Sequence, residues 1–322
     1  MLKRIPSLQK LRTLHNAEEV IHSFKKYGFT EAQIADIVRR RPQLFGCADS
    51  ALESKIKLLE DFGFVDQNLF RLLRINPSIL TLRLENGLLP KMEFLKNTFQ
   101  SQDVLVKALI KAPRLLSFSL EETLKPSLAF WEGWGFFGTG LLGFLRLYPA
   151  VLSRKSLTPA QMDLIHKIGT CKERKMFKYV VGLVATSAPK TLEAKIENLK
   201  LCGLSAEETW QLLGTVPLLL CYSKENVSEK MNFLVNDMKL PASYVVKHAN
   251  LLRINLEKTT RPRCLVWQKI KSISDLDLTL LTVLSMPEAR FVSKIIEGHP
   301  ESKTLRTIYE NALSNVSNRT KS

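Results

Sequence analysis

The sequence predicts an all-α protein built from a tandem helical repeat of about 35 residues. Three observations predict it. Prolines followed by two apolar residues recur at nearly constant spacing, apolar residues between them have the period of an α-helix, and no stretch alternates apolar and polar residues as a strand does. One repeat cannot bury its apolar face alone, so we expect roughly eight repeats over residues 17–300 to stack as an α-solenoid.

The first repeat shows the pattern plainly. Thr30 and Gln33 have the spacing of a capping box, which starts a helix. Pro42 ends that helix, because proline disfavours the helical conformation of the residue before it. Leu44 and Phe45 follow at the second and third positions after the proline, and we expect them to be buried. We call this arrangement the proline step.

Further repeats follow in order. The fifth is degenerate, since Gly182 stands where the proline is expected, and the seventh has Ala249 in that place. We expect a short third helical turn in the long connections, such as residues 81–88. An eighth, weaker repeat ends at Pro287. The remaining proline steps begin at Pro77, Pro113, Pro149 and Pro217.

The two ends of the chain differ from the repeats. Residues 1–16 are basic and are interpreted either as the remnant of a targeting segment or as the start of the first repeat helix. Residues 301–322 are polar, and we expect them to form a frayed tail.

Composition favours a polyanionic partner. The chain has 47 lysines and arginines against 31 acidic residues, a net charge of +16. Nucleic acid is the first candidate and an anionic membrane surface the second. No apolar run is long enough to span a membrane. The five cysteines form no CxxC pair, so we expect reduced thiols packed between helices rather than a zinc site.

The sequence contains no motif for catalysis. It has no glycine-rich nucleotide loop, no paired spacing of metal ligands and no nucleophile motif. We therefore expect a protein that is not an enzyme and needs no cofactor. Aromatic residues cluster near one turn, at Trp131, Trp134, Phe136 and Phe137; they either stack on bases or fill gaps between repeats, and packing is the favoured interpretation.

The candidate binding residues are basic and lie at the ends of second helices and just past the prolines. A position that recurs in a solenoid forms a line along one surface, and the planar fork of arginine matches phosphate oxygens. The alternative is that these cations complement the dipoles of the helix C-termini. The candidates are Arg39, Arg40, Arg41, Arg71, Arg74, Lys111, Arg114, Arg146, Arg154, Lys155, Arg253, Arg261 and Arg263.

These features together resemble the mitochondrial transcription termination factor (mTERF) family, in its land-plant branch. The resemblance covers roughly residues 14–298 and is strongest in 24–45, 59–80 and 192–256. It rests on a glycine followed by an aromatic residue or leucine, a helix with a basic or polar end, and the proline step. The residues that characterise tetratricopeptide and pentatricopeptide repeats do not recur here.

The resemblance implies a superhelix of three-helix repeats with a basic concave groove that binds organellar DNA or RNA. It further implies a role in transcription termination or initiation, intron splicing or ribosome biogenesis. We expect a monomer that binds double-stranded DNA or structured RNA in the mitochondrion, with the chloroplast as the alternative. The competing hypothesis is a protein-interaction scaffold in an organellar ribonucleoprotein or ribosome-assembly complex, with transcription, splicing or ribosome-assembly proteins as partners.

Overall fold

A computed structural model describes residues 14–169, 172, 174–273 and 279–319. These residues form α-helices joined by short turns, and none of them belongs to a β-strand. The predicted all-α helical-repeat fold is therefore confirmed. The chain divides into two compact units, Met1–Met162 and Asp163–Ser322. We call them the N-terminal half and the C-terminal half and describe each by itself.

The N-terminal half consists of helix pairs. The first helices of the pairs are α1 (Leu14–Lys26), α3 (Asp49–Asp61), α5 (Leu89–Phe99) and α7 (Lys125–Gly133). The second helices are α2 (Glu31–Arg40), α4 (Asp66–Ile75), α6 (Gln102–Lys111) and α8 (Gly138–Leu147). Second helices pack on one another in chain order, α2 on α4, α4 on α6 and α6 on α8, so equivalent positions of successive repeats become neighbours. Helix α9 (Pro159–Ile168) contains the boundary between the halves.

The C-terminal half continues the pairing less regularly. Its α11 (Pro189–Leu201) packs on α13 (Lys224–Asn232) and its α12 (Ala206–Thr215) packs on α14 (Ala242–Lys247), as in the N-terminal half. The chain passes from α10 (Phe177–Thr186) to α11 without a 3₁₀ helix between them, consistent with the degenerate fifth repeat. The remaining helices are α15 (Arg261–Ile273), α16 (Leu280–Ser285), α17 (Glu288–Phe291) and α18 (Ser302–Arg319).

Each proline step forms a short 3₁₀ helix, which we call a proline turn. Proline suits its first position because the ring fixes φ and the missing N–H has no partner there. The preceding residue is pushed out of the helical region, with φ −133° and ψ 67° at Asn76 and φ −133° and ψ 71° at Val216. The turns are Pro42–Gly46, Pro77–Thr81, Pro113–Ser117, Pro149–Ser153, Pro217–Cys221 and, with alanine first, Ala249–Arg253.

The apolar residues of the proline step are buried, as predicted. Leu44 and Leu80 are fully enclosed, and Phe45 is 3% exposed. Neighbouring proline turns are also joined directly, since the Asn76 side chain donates hydrogen bonds to the Pro113 carbonyl at 2.9 Å and to a serine hydroxyl of the same turn. The proline step therefore ends a helix and also forms part of the contact between repeats.

Turns between first and second helices follow local sequence rules. The Thr30 hydroxyl accepts from the Gln33 N–H at 3.3 Å, and the Gln33 side chain accepts from the Thr30 N–H at 2.9 Å, so the predicted capping box is present. Ser205 and Glu208 form a second one. Gly63 precedes α4 with φ +90°, a conformation that favours glycine.

Aromatic residues fill the fourth repeat. Trp131 is fully buried and its Nε1 donates to the Val151 carbonyl at 3.0 Å. Phe136 and Phe144 stack with ring centroids 4.1 Å apart. Phe137 differs, with 66% of its surface exposed. For Trp131 and Phe136 the structure confirms the packing interpretation.

The short helical turn expected within residues 81–88 is present at Leu84–Leu88 and continues directly into α5. One other sequence expectation needs correction. The prediction of a frayed tail is wrong for α18, because Leu305 and Tyr309 are buried against α15 and α17. These two residues lie four apart and therefore on one face of the helix. Residues 14–16 belong to α1, while residues 1–13 and 320–322 lie outside the described residues.

Candidate nucleic-acid interface

The last two residues of each second helix in the N-terminal half form a recurring feature, which we call the terminal pairs. Each pair contains at least one cation. Because α2, α4, α6 and α8 pack in order, their C-terminal ends follow one another along one side of this half. The terminal pairs are Arg39–Arg40, Arg74–Ile75, Ile110–Lys111 and Arg146–Leu147.

Asp36 joins the first two pairs. One of its carboxylate oxygens accepts from Arg39 at 2.7 Å and from Arg40 at 3.4 Å, and the other accepts from Arg74 of the next repeat at 2.7 Å. Burial alone would raise the pKa of Asp36, but hydrogen bonds from Arg74 and Arg39 outweigh it and lower that pKa. The carboxylate is therefore ionised at neutral pH. Three guanidinium groups surround it, and a net positive charge remains.

The other two pairs are also in contact. The Lys111 ammonium donates to the main-chain carbonyl of Arg146 at 3.2 Å. The dipole interpretation predicts such a contact between a cation and the C-terminal end of a helix, although here the cation and that helix end belong to neighbouring helices. The Arg146 side chain itself is exposed. The structure thus brings Arg39, Arg40 and Arg74 together and places Lys111 beside the α8 terminus.

The remaining candidates of the N-terminal half form no hydrogen bond or ion pair with this row that the structure shows. Four of them are exposed. Arg71 lies on α4 and Arg114 in the third proline turn, while Arg154 and Lys155 come just after the fourth. Arg41 is only partly exposed, and its Nε is buried without a hydrogen-bond partner.

The three candidates in the C-terminal half occupy different environments. Arg253 is exposed at the end of its proline turn. Arg261 is half-buried, paired with Glu257 at 2.8 Å, and its guanidinium lies 4.5 Å from the Phe233 ring centroid. Arg263 is only 3% exposed.

Arg263 has a structural role. Its guanidinium donates to the Val283 carbonyl at 3.0 Å and also to the carbonyls of Leu284 and Met286, at the C-terminal end of α16, and it pairs with Glu288 at 2.7 Å. A side chain enclosed in this way presents no surface to a phosphate. We therefore remove Arg263 from the candidate interface.

Sequence reasoning missed four lysines that act as Arg263 does. Each lies on a first helix, and its ammonium donates to the carbonyl of the last apolar residue of the proline turn in the same repeat. Burial lowers the pKa of two of them, Lys91 and Lys230. The pairs are Lys55 to Leu80 at 2.7 Å, Lys91 to Leu116 at 3.0 Å, Lys195 to Leu220 at 2.6 Å and Lys230 to Leu252 at 2.9 Å.

These carbonyl-capping cations change the interpretation of the net charge. Four lysines and Arg263 are used within the fold, so the charge of +16 overstates what is available to a partner. The sequence did contain a sign of this role, because in three of the pairs the lysine precedes the residue whose carbonyl it contacts by 25 residues. Serine replaces lysine in the fourth repeat, where the Ser127 hydroxyl donates to the Val151 carbonyl at 3.0 Å.

Within the described part of the chain, the structure contains no group of three or more histidine, cysteine or acidic residues placed to hold a metal ion. The same residues include no helix with the length and apolar character needed to cross a membrane.

The fold and this surface define an all-α helical-repeat protein with a line of exposed cations on its second helices. A model of the mTERF family matches residues 1–103 and 99–292. The chain therefore belongs to the mTERF family.

Two relatives from Arabidopsis thaliana show the same similarity. One, called transcription termination factor MTERF15, mitochondrial, is 22% identical over 311 residues, which are 95% of this chain and 68% of the relative. The other, called transcription termination factor MTERF8, chloroplastic, is 21% identical over 239 residues, 73% of this chain and 40% of the relative.

Proposed function

We propose that this protein binds nucleic acid, as double-stranded DNA or structured RNA, and thereby regulates organellar gene expression without catalysing a reaction. The observation that carries the proposal is the line of terminal pairs on α2, α4, α6 and α8. A recurring cation on stacked helices offers phosphate contacts at regular intervals, and such contacts supply most of the affinity for nucleic acid.

The spacing of the repeats suits a phosphate backbone. Packed helices lie about 8–10 Å apart, and the phosphates of one DNA strand advance about 3.4 Å per residue along the axis. One repeat therefore corresponds to about three nucleotides, and the four terminal pairs to about nine or ten. We propose that these pairs line the basic groove that the family resemblance implies.

The organellar setting comes from the relatives. Their names describe transcription termination factors, one mitochondrial and one chloroplastic. We propose that this chain acts in one of these organelles, in transcription termination or initiation or in RNA processing such as intron splicing. It would do so as a monomer that blocks or guides the organellar machinery.

Salt dependence of binding tests the proposal. The full chain is titrated with a fluorescent 25-base-pair DNA duplex and with an RNA hairpin, between about 50 and 200 mM salt. If about six phosphates are neutralised, the logarithm of affinity should fall against the logarithm of salt with a slope of about −5 for the duplex. Replacing Arg74, Lys111 and Arg146 by glutamine should reduce the slope by about 3.

A matched control separates the row from charge in general. Lys57, Lys96 and Lys125 are exposed on the first helices α3, α5 and α7, and replacing all three by glutamine removes the same charge. This control should change the slope by less than about 1. Equal slopes for the two triple variants would contradict the proposed interface. A flat salt dependence of the unaltered protein would contradict nucleic-acid binding and favour the protein-scaffold alternative.

A further inference from the structure

The row of terminal pairs also contains exposed aliphatic side chains. Ile75 is the last residue of α4 and is 50% exposed, and Leu147 is the last residue of α8 and is 40% exposed. The equivalent positions in α2 and α6 are Arg40 and Lys111. Thus the final position of the second helices is alternately basic and aliphatic along the N-terminal half.

Each of the two aliphatic residues directly follows a cation at the C-terminal end of its helix. In α2 the last two residues, Arg39 and Arg40, both reach the same Asp36 carboxylate, so long side chains at both positions of a terminal pair can reach one site. Arg74 reaches that carboxylate too and is followed directly by Ile75. By the same repeat geometry, Leu147 lies beside Arg146.

Folding of the half does not explain their exposure. The buried face of α4 is formed by Leu69, Leu72 and Leu73, which are at most 2% exposed, and Ile75 lies outside it. Single exposed aliphatic residues are ordinary on protein surfaces. What distinguishes these two is that each directly follows a cation at the end of a second helix.

We propose that Ile75 and Leu147 contact the sugar and base surfaces of the bound nucleic acid, between the phosphate contacts of their neighbouring cations. This rests on the proposed function and adds to it a part of the interface that is not electrostatic. Aliphatic side chains contact thymine methyl groups or wedge between base steps, whereas they make no favourable contact with phosphates. Nucleic acid is favoured over an apolar protein partner because an exposed arginine directly precedes each of the two residues.

The test separates apolar contacts from phosphate contacts by their salt dependence. Ile75→Gln and Leu147→Gln keep side-chain length and helix propensity while they remove the aliphatic surface. Covering half of an aliphatic side chain corresponds to about a fivefold change in affinity. Each variant should therefore bind about fivefold more weakly, and the double variant about 25-fold, with an unchanged salt slope. Arg74→Gln should instead reduce the slope by about 0.9.

The other ends of the same two helices supply the control. Val65 precedes α4 and is 49% exposed, and Phe137 precedes α8 and is 66% exposed. Val65→Gln and Phe137→Gln remove similar apolar surface away from the terminal pairs and should leave the affinity unchanged. All variants are checked by circular dichroism and assayed with whichever probe, DNA duplex or RNA hairpin, the unaltered protein binds more tightly.

Each other outcome overturns the inference. Full affinity in the double variant would show that the aliphatic residues do not contact nucleic acid, even if the salt slope stays steep and the proposed function stands. Full affinity combined with loss of binding to a protein would assign them to a protein partner. Equal losses in the Val65 and Phe137 variants would show a general effect of apolar surface. Absence of salt-dependent binding by the unaltered protein would instead refute the proposed function.

Discussion

Lys91 offers a direct test of the carbonyl-capping cations. It is 9% exposed, and its ammonium donates to the Leu116 carbonyl at 3.0 Å. Lys91→Met keeps the buried aliphatic stem and removes the donor. A hydrogen bond from a charged group is worth about 1.5–3 kcal/mol, but the variant also avoids the cost of burying an ammonium group, so we expect a loss of about 1.5 kcal/mol.

Urea unfolding followed by circular dichroism measures this loss. Lys96 lies on the same helix and is exposed, with its ammonium 5.5 Å from the Phe62 ring centroid. Lys96→Met is therefore the matched control and should change the stability by less than about 0.5 kcal/mol. Equal stability of the two variants would refute the idea that the buried lysine caps the proline turn.

The contribution of Lys91 to stability depends on pH in a defined direction. Burial lowers the pKa of Lys91 below the ordinary value of 10.5. Between the folded and unfolded pKa values, the unfolded chain binds more protons, so the stability that Lys91 contributes rises as pH increases towards about 10.5. The advantage of the unaltered protein over Lys91→Met should therefore grow as the pH rises towards about 10.5. An advantage that shrinks over this range would contradict the assignment.

Three further predictions concern other parts of the fold. Leu305→Ala should cost about 3 kcal/mol in urea unfolding, because the residue is fully buried; no loss would restore the frayed-tail interpretation. Burial would raise the pKa of Glu288, but hydrogen bonds from Tyr309 and Arg263 lower it below 4.5, so its contribution to stability is present above about pH 4.5 and lost below. The advantage over Glu288→Gln in thermal unfolding should therefore shrink between about pH 7 and pH 3, and a constant advantage would contradict this. Trp131→Phe should cost about 2 kcal/mol in urea unfolding through the lost Nε1 hydrogen bond and a cavity; a neutral result would mean that the bond contributes nothing.

Features that depend only on residues close together in the sequence could be predicted from the sequence. The capping box at Thr30 and Gln33 requires only a three-residue spacing, and proline restricts the residue directly before it. Burial of Leu44 and Phe45 followed from their constant place after the proline. Such rules act within one or two helical turns, so the order of amino acids is enough to apply them.

The candidate interface was predicted only in part. The sequence identified the cationic ends of the second helices, but it could not distinguish Arg253, which is exposed, from Arg263, which is enclosed. Their difference depends on whether another element covers the side chain. The aliphatic positions Ile75 and Leu147 were also overlooked, because exposure is decided by packing rather than by residue type.

The sequence by itself determined the helical repeat, its period and the ends of its helices, because these follow from short-range backbone and capping preferences. Tertiary structure alone decided which cations are structural. Lys91 reaches a carbonyl 25 residues away, and Asp36 reaches Arg74 38 residues away, only once the helices pack. The physical reason is that a cation can be stabilised by water, by a carboxylate or by carbonyls at a helix end, and only the packed chain fixes which of these surrounds it.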